Sequence, residues 1–194
     1  TVTDDNGCTA SASATVDQPP ALSGSITSQT DVACFGDASG SVTVAGSGGT
    51  PSYEYSINGG ASYQGSGTFN NLSAGNYTII VRDANLCTSN VPVSITQPAS
   101  ALSVSVTNQT ETCNGQATGT AEISATGGTS PYQFSNDNGA TYSGAQASPY
   151  TFTNLAAGTY HIQVRDANAC EATTTLTIIA SPLLDPGAHN TTEL

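Results

Sequence analysis

The chain has 194 residues, of which 8% are charged, against about 25% in ordinary soluble domains, and there is no Lys. Its net charge of −12 excludes nucleic acid and anionic membrane surfaces as partners, because both would be repelled. No apolar run is long enough for a membrane-spanning helix, so no direct membrane insertion is expected. Ser, Thr, Ala, Gly and Asn take the surface places usually held by Lys and Glu, which suits an extracellular β-rich protein.

The chain lacks Met and reads as a segment of a longer protein. Residues 1–19 look like the C-terminal part of a truncated repeat: "TVTDDNGC" ends at Cys8, and the Pro-containing joint "VDQPPALS" follows. Residues 20–98 form a whole repeat. Apolar and small polar residues alternate over 23–29 and again over 41–46, with Cys34 between them. In 53–57, Tyr53, Tyr55 and Ile57 take one face, and Glu54 and Ser56 the other. "LSAGNY" then leads into a strand at 77–82, with Tyr77, Ile79 and Val81 inward and Thr78, Ile80 and Arg82 outward. "DAN" turns the chain towards Cys87, and 91–96 closes the unit.

Residues 99–180 say the same again. Cys113 follows Cys34, and Gly127 follows Gly48, by 79 residues, whereas Asp166 follows Asp83 by 83. The four extra residues fall between Gly144 and Phe152, where "GAQASPYTF" replaces "GSGTF", and read as a longer surface loop on an unchanged scaffold. Residues 181–194 read as the start of a following repeat or a linker.

About seven antiparallel strands per repeat, with turns every ~8–12 residues, predict tandem immunoglobulin-like β-sandwiches in an all-β chain. Tyr77 and Tyr160 fit structural tyrosine corners, whose hydroxyl bonds back to the backbone. So small a core calls for a staple. Cys34, Cys87, Cys113 and Cys170 are the disulfide candidates, and the partner of Cys8 lies outside the chain. Pairing within each repeat, Cys34 with Cys87 and Cys113 with Cys170, would contribute roughly 4 kcal/mol per unit in the chain-entropy model. In an immunoglobulin topology, however, the two cysteines of one repeat lie at opposite ends of a strand of ~20 Å, too far for a disulfide. Either the first segment climbs back along its domain, or Cys34 meets Cys170 across repeats; free thiols are the third outcome.

Catalysis requires converging polar groups. His161 and His189 have no partner at triad or ligand spacing, so no catalytic residue and no enzyme is expected. Arg82 and Arg165, the two Arg residues, occupy matching places, with Glu54 and Gln133 as expected cross-strand neighbours. Together with Tyr63, Tyr142 and Tyr150 they form the candidate surface contact. Asp4, Asp83 and Asp166, with Asn85 and Asn168, head turns where calcium is the one cofactor candidate, but each turn offers fewer oxygens than the ~6–8 that calcium takes. Turn chemistry is the plainer expectation, and otherwise no cofactor or metal is expected.

The ordered string Cys34–Gly36, 48–56, 72–77, 81–87 and Gln97–Pro98, with its second copy at 113–115, 127–135, 155–160 and 164–170, resembles the SprB repeat of bacterial surface adhesins. That family usually has Gly before the second Cys; here Gly7 keeps it, while Leu86 and Ala169 replace it. The resemblance implies type IX export, display on the cell surface of gliding Bacteroidetes, and a structural or adhesive role beside neighbouring repeats of the same chain. Two other readings stand beside it: a spacer or carbohydrate-binding module of a secreted polysaccharide-degrading enzyme, touching surface polysaccharide, and a filament subunit acting through self-association.

Overall fold

The structure, a computed structural model, describes residues 1–182. Of the expected start of a following repeat at 181–194, only Ser181 and Pro182 are therefore described, and His189 lies outside the described residues. A short antiparallel hairpin, β1 (Val2–Thr3) and β2 (Thr9–Ala10), opens the chain. The first repeat supplies β3 (Ser23–Thr30), β4 (Gly40–Ser47), β5 (Glu54–Ser56), β6 (Thr68–Leu72), β7 (Gly75–Arg82) and β8 (Thr88–Ile95). The second supplies β9 (Ser103–Thr110), β10 (Thr112–Cys113), β11 (Gly119–Thr126), β12 (Gln133–Ser135), β13 (Tyr150–Leu155), β14 (Gly158–Arg165), β15 (Glu171–Ile178) and β16 (Ala180–Ser181).

Each repeat builds two three-stranded sheets, ordered β3-β4-β6 and β5-β7-β8 in the first and β9-β11-β13 and β12-β14-β15 in the second. Period-two burial explains why these residues form strands. Ala121, Ile123 and Ala125 of β11 point inward, as do Ile162 and Val164 of β14 and Leu176 and Ile178 of β15, and they meet Phe134 and Leu155 in one core. Both sheets feed that core, so the repeat is a sandwich. In the first repeat, a Cβ placed on Gly24 of β3 would lie 2.5 Å from Val91 and 2.7 Å from Val81, side chains of the opposite sheet. Glycine lets the two layers close there. Exposed Pro92 sits on β8, at the edge of its sheet, where no ladder donor is needed.

Three details differ from the sequence reading. The expected seven strands are six in the first repeat, because the segment around Cys34 spends its hydrogen bonds on a turn. There Ala33 N donates to Ser39 Oγ (3.0 Å) and Asp37 N to Cys34 O (3.1 Å). In the second repeat the same segment adds the two-residue β10, which pairs parallel with β16. Ser56, expected outward, is buried beside Tyr55, since its hydroxyl holds the following turn through Asn58 Oδ1 (2.8 Å) and Gly60 N (3.0 Å). The four-residue insertion is more than a surface loop: it ends in Tyr150, which packs against the core.

The chain divides into two compact units that cut across the repeats. The first comprises Thr1–Gln29, Val42–Phe69 and Asn76–Val93, and the second Thr30–Ser41, Asn70–Gly75 and the chain from Ser94 onward. The Cys34 turn thus belongs to the same unit as the second sandwich.

Candidate functional site

The same corner is built at each "D-x-N-x-C" motif. Asp166 Oδ1 accepts the amides of Asn168 (2.8 Å) and Cys170 (2.9 Å), and its Oδ2 accepts that of Thr129 (2.8 Å). Asp83 does the same with Asn85 (3.0 Å), Cys87 (2.8 Å) and Thr50 (2.9 Å). Asp4 Oδ1 holds Asn6 N (3.0 Å) and Cys8 N (2.8 Å). The amide of Thr50, then those of Cys87 and Asn85, hold the Asp83 carboxyl below its usual range, against the opposing effect of burial. The residue before each cysteine is left-handed: φ is 82° at Gly7, 67° at Leu86 and 63° at Ala169. Leu86 and Ala169 therefore occupy a conformation costing about 1 kcal/mol or more without glycine.

In the second unit this corner receives a second element. Cys34 and Cys170 form a disulfide, with Cα atoms 5.7 Å apart. Asn168 Nδ2 donates both to Thr129 Oγ1 (3.1 Å) and to Ala33 O (2.9 Å), which fixes the incoming turn. Gly36 N donates to Gln97 Oε1 (2.8 Å). Just upstream, Val32 N donates to Thr96 O (2.9 Å), and Asp31 accepts Thr96 N (2.9 Å) and Thr96 Oγ1 (2.6 Å). The bond thus crosses between repeats, one of the three outcomes left open by the sequence.

The within-repeat pairs Cys34–Cys87 and Cys113–Cys170 do not form; Cys8, Cys87 and Cys113 are exposed free thiols. The second repeat gives the reason. Cys170 immediately precedes β15, whereas Cys113 pairs with Ser181, beyond the far end of that strand. Eight residues of strand, at about 3.3 Å each, separate the two ends. A disulfide needs Cα atoms within about 7 Å.

The cross-strand neighbours expected for the arginines are in register, Glu54 opposite Arg82 and Gln133 opposite Arg165. Arg82 grips Glu54 Oε2 through Nη2 (2.6 Å) and Nε (3.2 Å), and Arg165 Nε donates to Gln133 Oε1 (3.0 Å). Each guanidinium also covers a tyrosine from the candidate contact set. Arg82 Cζ lies 3.6 Å from the Tyr63 ring centroid, and Arg165 Cζ 4.2 Å from that of Tyr142. Burial, with the Glu171 carboxylate that its hydroxyl contacts at 3.3 Å, pushes the Tyr142 phenol up. Tyr150, placed in the same set, instead stacks on Phe134, with centroids 5.1 Å apart. The arginines and tyrosines thus bind each other, a pairing legible in retrospect because Tyr63 and Tyr142 also follow the 79-residue spacing.

Tyr160 Oη donates to Ala156 O (3.0 Å), the back-bond of a tyrosine corner, and Tyr77 holds the matching place on β7. His161 is an exposed strand residue opposite Thr175. Asp83 and Asp166 face the backbone with both oxygens, and among the described residues no group of three or more His, Cys, Asp or Glu could hold a metal ion. Sequence reading missed Gln97 and Asn168 as clamp residues. Their signal was present: Gln-Pro and Asp-x-Asn recur at the joint and the corner, and Gln18 and Asn85 repeat them.

The SprB repeat family model matches the chain twice. The matched residues are 26–62 and 103–141, so each match runs from the first strand of its repeat past the Cys turn and into the loop after β5 or β12. No curated protein sequence matches the chain. Among solved structures, it is similar to a C-terminal fragment of intimin in complex with the intimin-binding domain of its translocated receptor: 18% identity, TM-score 0.38, covering 80% of this chain and 64% of that one. Fibronectin(III)-like modules of Clostridium thermocellum CbhA share 14% identity at a TM-score of 0.35, over 86% of this chain and 99% of theirs. The human desmocollin-1 ectodomain shares 18% identity at a TM-score of 0.28, over 70% of this chain and 31% of its own.

Proposed function

We propose that this chain is a structural and adhesive segment of an extracellular cell-surface array, in which SprB repeats carry tension between a cell and what it grips. The observation behind this reading is the Cys34–Cys170 disulfide, which encloses a sequence separation of 136 residues and ties one repeat to the next. Disulfides persist in oxidising compartments, which fits display outside the cell. The charge-poor, hydroxyl-rich surface fits the same location, and type IX export and a role in gliding follow the repeat family. The role is non-catalytic: the corner carboxylates are spent on backbone amides, and the two arginines on side chains of the neighbouring strand. A carbohydrate-binding role is less well supported, because one face of Tyr63 and of Tyr142 lies under an arginine and Tyr150 packs against the core.

Stretching single molecules from their two ends tests the tension-bearing role. With the disulfide intact, the 136-residue span stays hidden from the force; a reductant releases roughly 480 Å more contour, at about 3.5 Å per residue. Equal contour lengths before and after reduction would defeat the proposal.

A further inference from the structure

The chain holds four Asn-Gly pairs, beginning at Asn6, Asn58, Asn114 and Asn138. A glycine after asparagine carries no Cβ, so its backbone amide can come close to the side-chain carbonyl carbon before it. The fold restrains three of the four pairs. Gly7 N is held by Asp4 O (2.9 Å), and Gly139 N by Ser135 Oγ (2.9 Å). At the third it is the asparagine that is tied: Asn58 Oδ1 accepts Ser56 Oγ (2.8 Å) and Ser62 N (3.0 Å), and its Nδ2 donates to Ser62 Oγ (2.8 Å).

Asn114 and Gly115 are both exposed, and among the described residues neither the Asn114 side chain nor the Gly115 amide has a hydrogen-bond partner. They are the two central residues of a turn closed by Gln116 N on Cys113 O (2.9 Å), in which Gly115 takes φ 73°. A Cβ on Gly115 would meet nothing within 4 Å. The first repeat shows why this pair is free. There the counterpart amide, Gly36 N, donates to Gln97 Oε1 (2.8 Å). The matching joint of the second repeat has Ser181–Pro182 in place of Gln97–Pro98, and Ser181 Oγ is spent on Glu111 Oε2 (2.6 Å). Phe35 and Gly36 stay exposed although Cys34 is bonded to Cys170, so a disulfide at this cysteine does not cover the two residues that follow it.

We propose that Asn114 is a modification site, where the side-chain amide is lost by spontaneous deamidation with water as the only co-reactant. Gly115 N attacks Asn114 Cγ; the new N–Cγ bond closes a cyclic imide, and the Cγ–Nδ2 bond breaks. Nδ2 leaves as ammonia, taking the Gly115 amide proton with it. Water then opens the ring on either side. Addition at Cγ gives aspartate at position 114. Addition at the Asn114 main-chain carbonyl gives isoaspartate, with the main chain rerouted through Cβ and Cγ. Nothing is oxidised or reduced: an amide and water become a carboxylic acid and ammonia. Either product places a carboxylate in the Cys113 turn. This chemistry goes beyond the tension-bearing role and does not rest on it.

The test incubates the whole chain at mildly alkaline pH, folded and in urea. Mass spectrometry of digests follows the four Asn-Gly peptides, with fragmentation that separates aspartate from isoaspartate. In the folded chain, conversion at Asn114 should run several-fold faster than at Asn6, Asn58 and Asn138. In urea the four rates should converge, because the bonds that restrain the other three pairs are lost. Gly115→Ala should slow conversion at Asn114 several-fold and leave the other three sites as they were. A folded chain in which any other pair converts as fast as Asn114, the same spread of rates in urea as in the folded chain, or a Gly115→Ala chain that converts as fast as its parent would each overturn the proposal.

Discussion

Tyr55 and Phe134 stand at the same place in the two repeats, yet they leave different backbone groups to satisfy. In the first repeat Gly46 N donates to Tyr55 Oη at 3.1 Å. Phe134 has no hydroxyl, and the equivalent amide, Ala125 N, donates to Ser148 Oγ at 2.8 Å instead. Ser148 comes from the stretch between Gly144 and Phe152 that the first repeat lacks. The same stretch lays Tyr150 parallel to Phe134 and sets Phe152 edge-on to Tyr150, with centroids 5.0 Å apart. A lost hydroxyl and a longer loop are therefore one change: the loop satisfies the orphaned amide and adds aromatic packing.

The most severe way to break this arrangement is Phe134→Ala. Phe134 is fully buried between Tyr132 and Tyr150, so its removal should destabilise the second repeat by about 3–5 kcal/mol in urea unfolding. A loss below about 1 kcal/mol would mean that Tyr150 does not depend on it. Ser148→Ala tests the substitution of one donor partner for another. It should cost about 1–3 kcal/mol by orphaning Ala125 N, and Tyr55→Phe should cost a similar amount in the first repeat. If Ser148→Ala is neutral, the serine does not stand in for the tyrosine hydroxyl.

A second pair of equivalent turns differs by one titratable group. Asp137 accepts Ser135 Oγ (2.6 Å), Thr141 Oγ1 (2.6 Å) and Thr141 N (2.9 Å), where Asn58 accepts Ser56 Oγ (2.8 Å) and Ser62 N (3.0 Å) and donates to Ser62 Oγ (2.8 Å). The Ser135 hydroxyl first, then the Thr141 donors, lower the Asp137 carboxyl from 3.8 to about 2. Its folded value lies below its unfolded one, so its stabilisation is complete above 3.8 and is lost as pH falls towards 2. Asp137→Asn should therefore flatten the acid dependence of the second repeat over that window, and Asn58→Asp should introduce the same dependence in the first. Identical acid profiles for parent and Asp137→Asn chains would remove Asp137 as the source.

The sandwiches, their strand register at Glu54–Arg82 and Gln133–Arg165, and the tyrosine corner were legible because period-two alternation and turn residues are local signals. The choice of disulfide was legible in part: the expected topology already set the two cysteines of one repeat at opposite ends of a strand and offered Cys34 with Cys170, but it left open whether the first segment climbs back along its domain. The second repeat closes that route, with Cys113 against Ser181 and Cys170 at the opposite end of β15. Ser56 misled for another reason. Alternation assigns a face, but a hydroxyl that caps the next turn is drawn inward whatever its parity. Gln97 gave no local signal of its own: its side chain holds the Cys34 turn, a partner 61 residues away in sequence.

The smallest expected difference lies between the two arginines. Arg82 bonds to a carboxylate and Arg165 to a neutral amide, with Glu171 opposite Arg165 on β15, while both cover a tyrosine ring. The Arg82–Glu54 side chains are 27% and 47% exposed, so their attraction is screened by solvent and is worth at most about 1 kcal/mol. Raising salt to about 1 M shortens the screening length to about 3 Å and should erase most of that contribution, leaving the Arg165–Gln133 bond almost unchanged. Arg82→Lys and Arg165→Lys should then cost nearly the same at high salt, because what remains is the planar guanidinium stacked on tyrosine, which an ammonium replaces poorly. At low salt Arg82→Lys keeps a charge beside Glu54, so its cost should stay within a few tenths of a kcal/mol of its high-salt value. Arg82→Gln should be the salt-sensitive variant, and a Glu54→Gln chain that keeps the salt dependence of its parent would show that the Glu54 carboxylate has no energetic consequence.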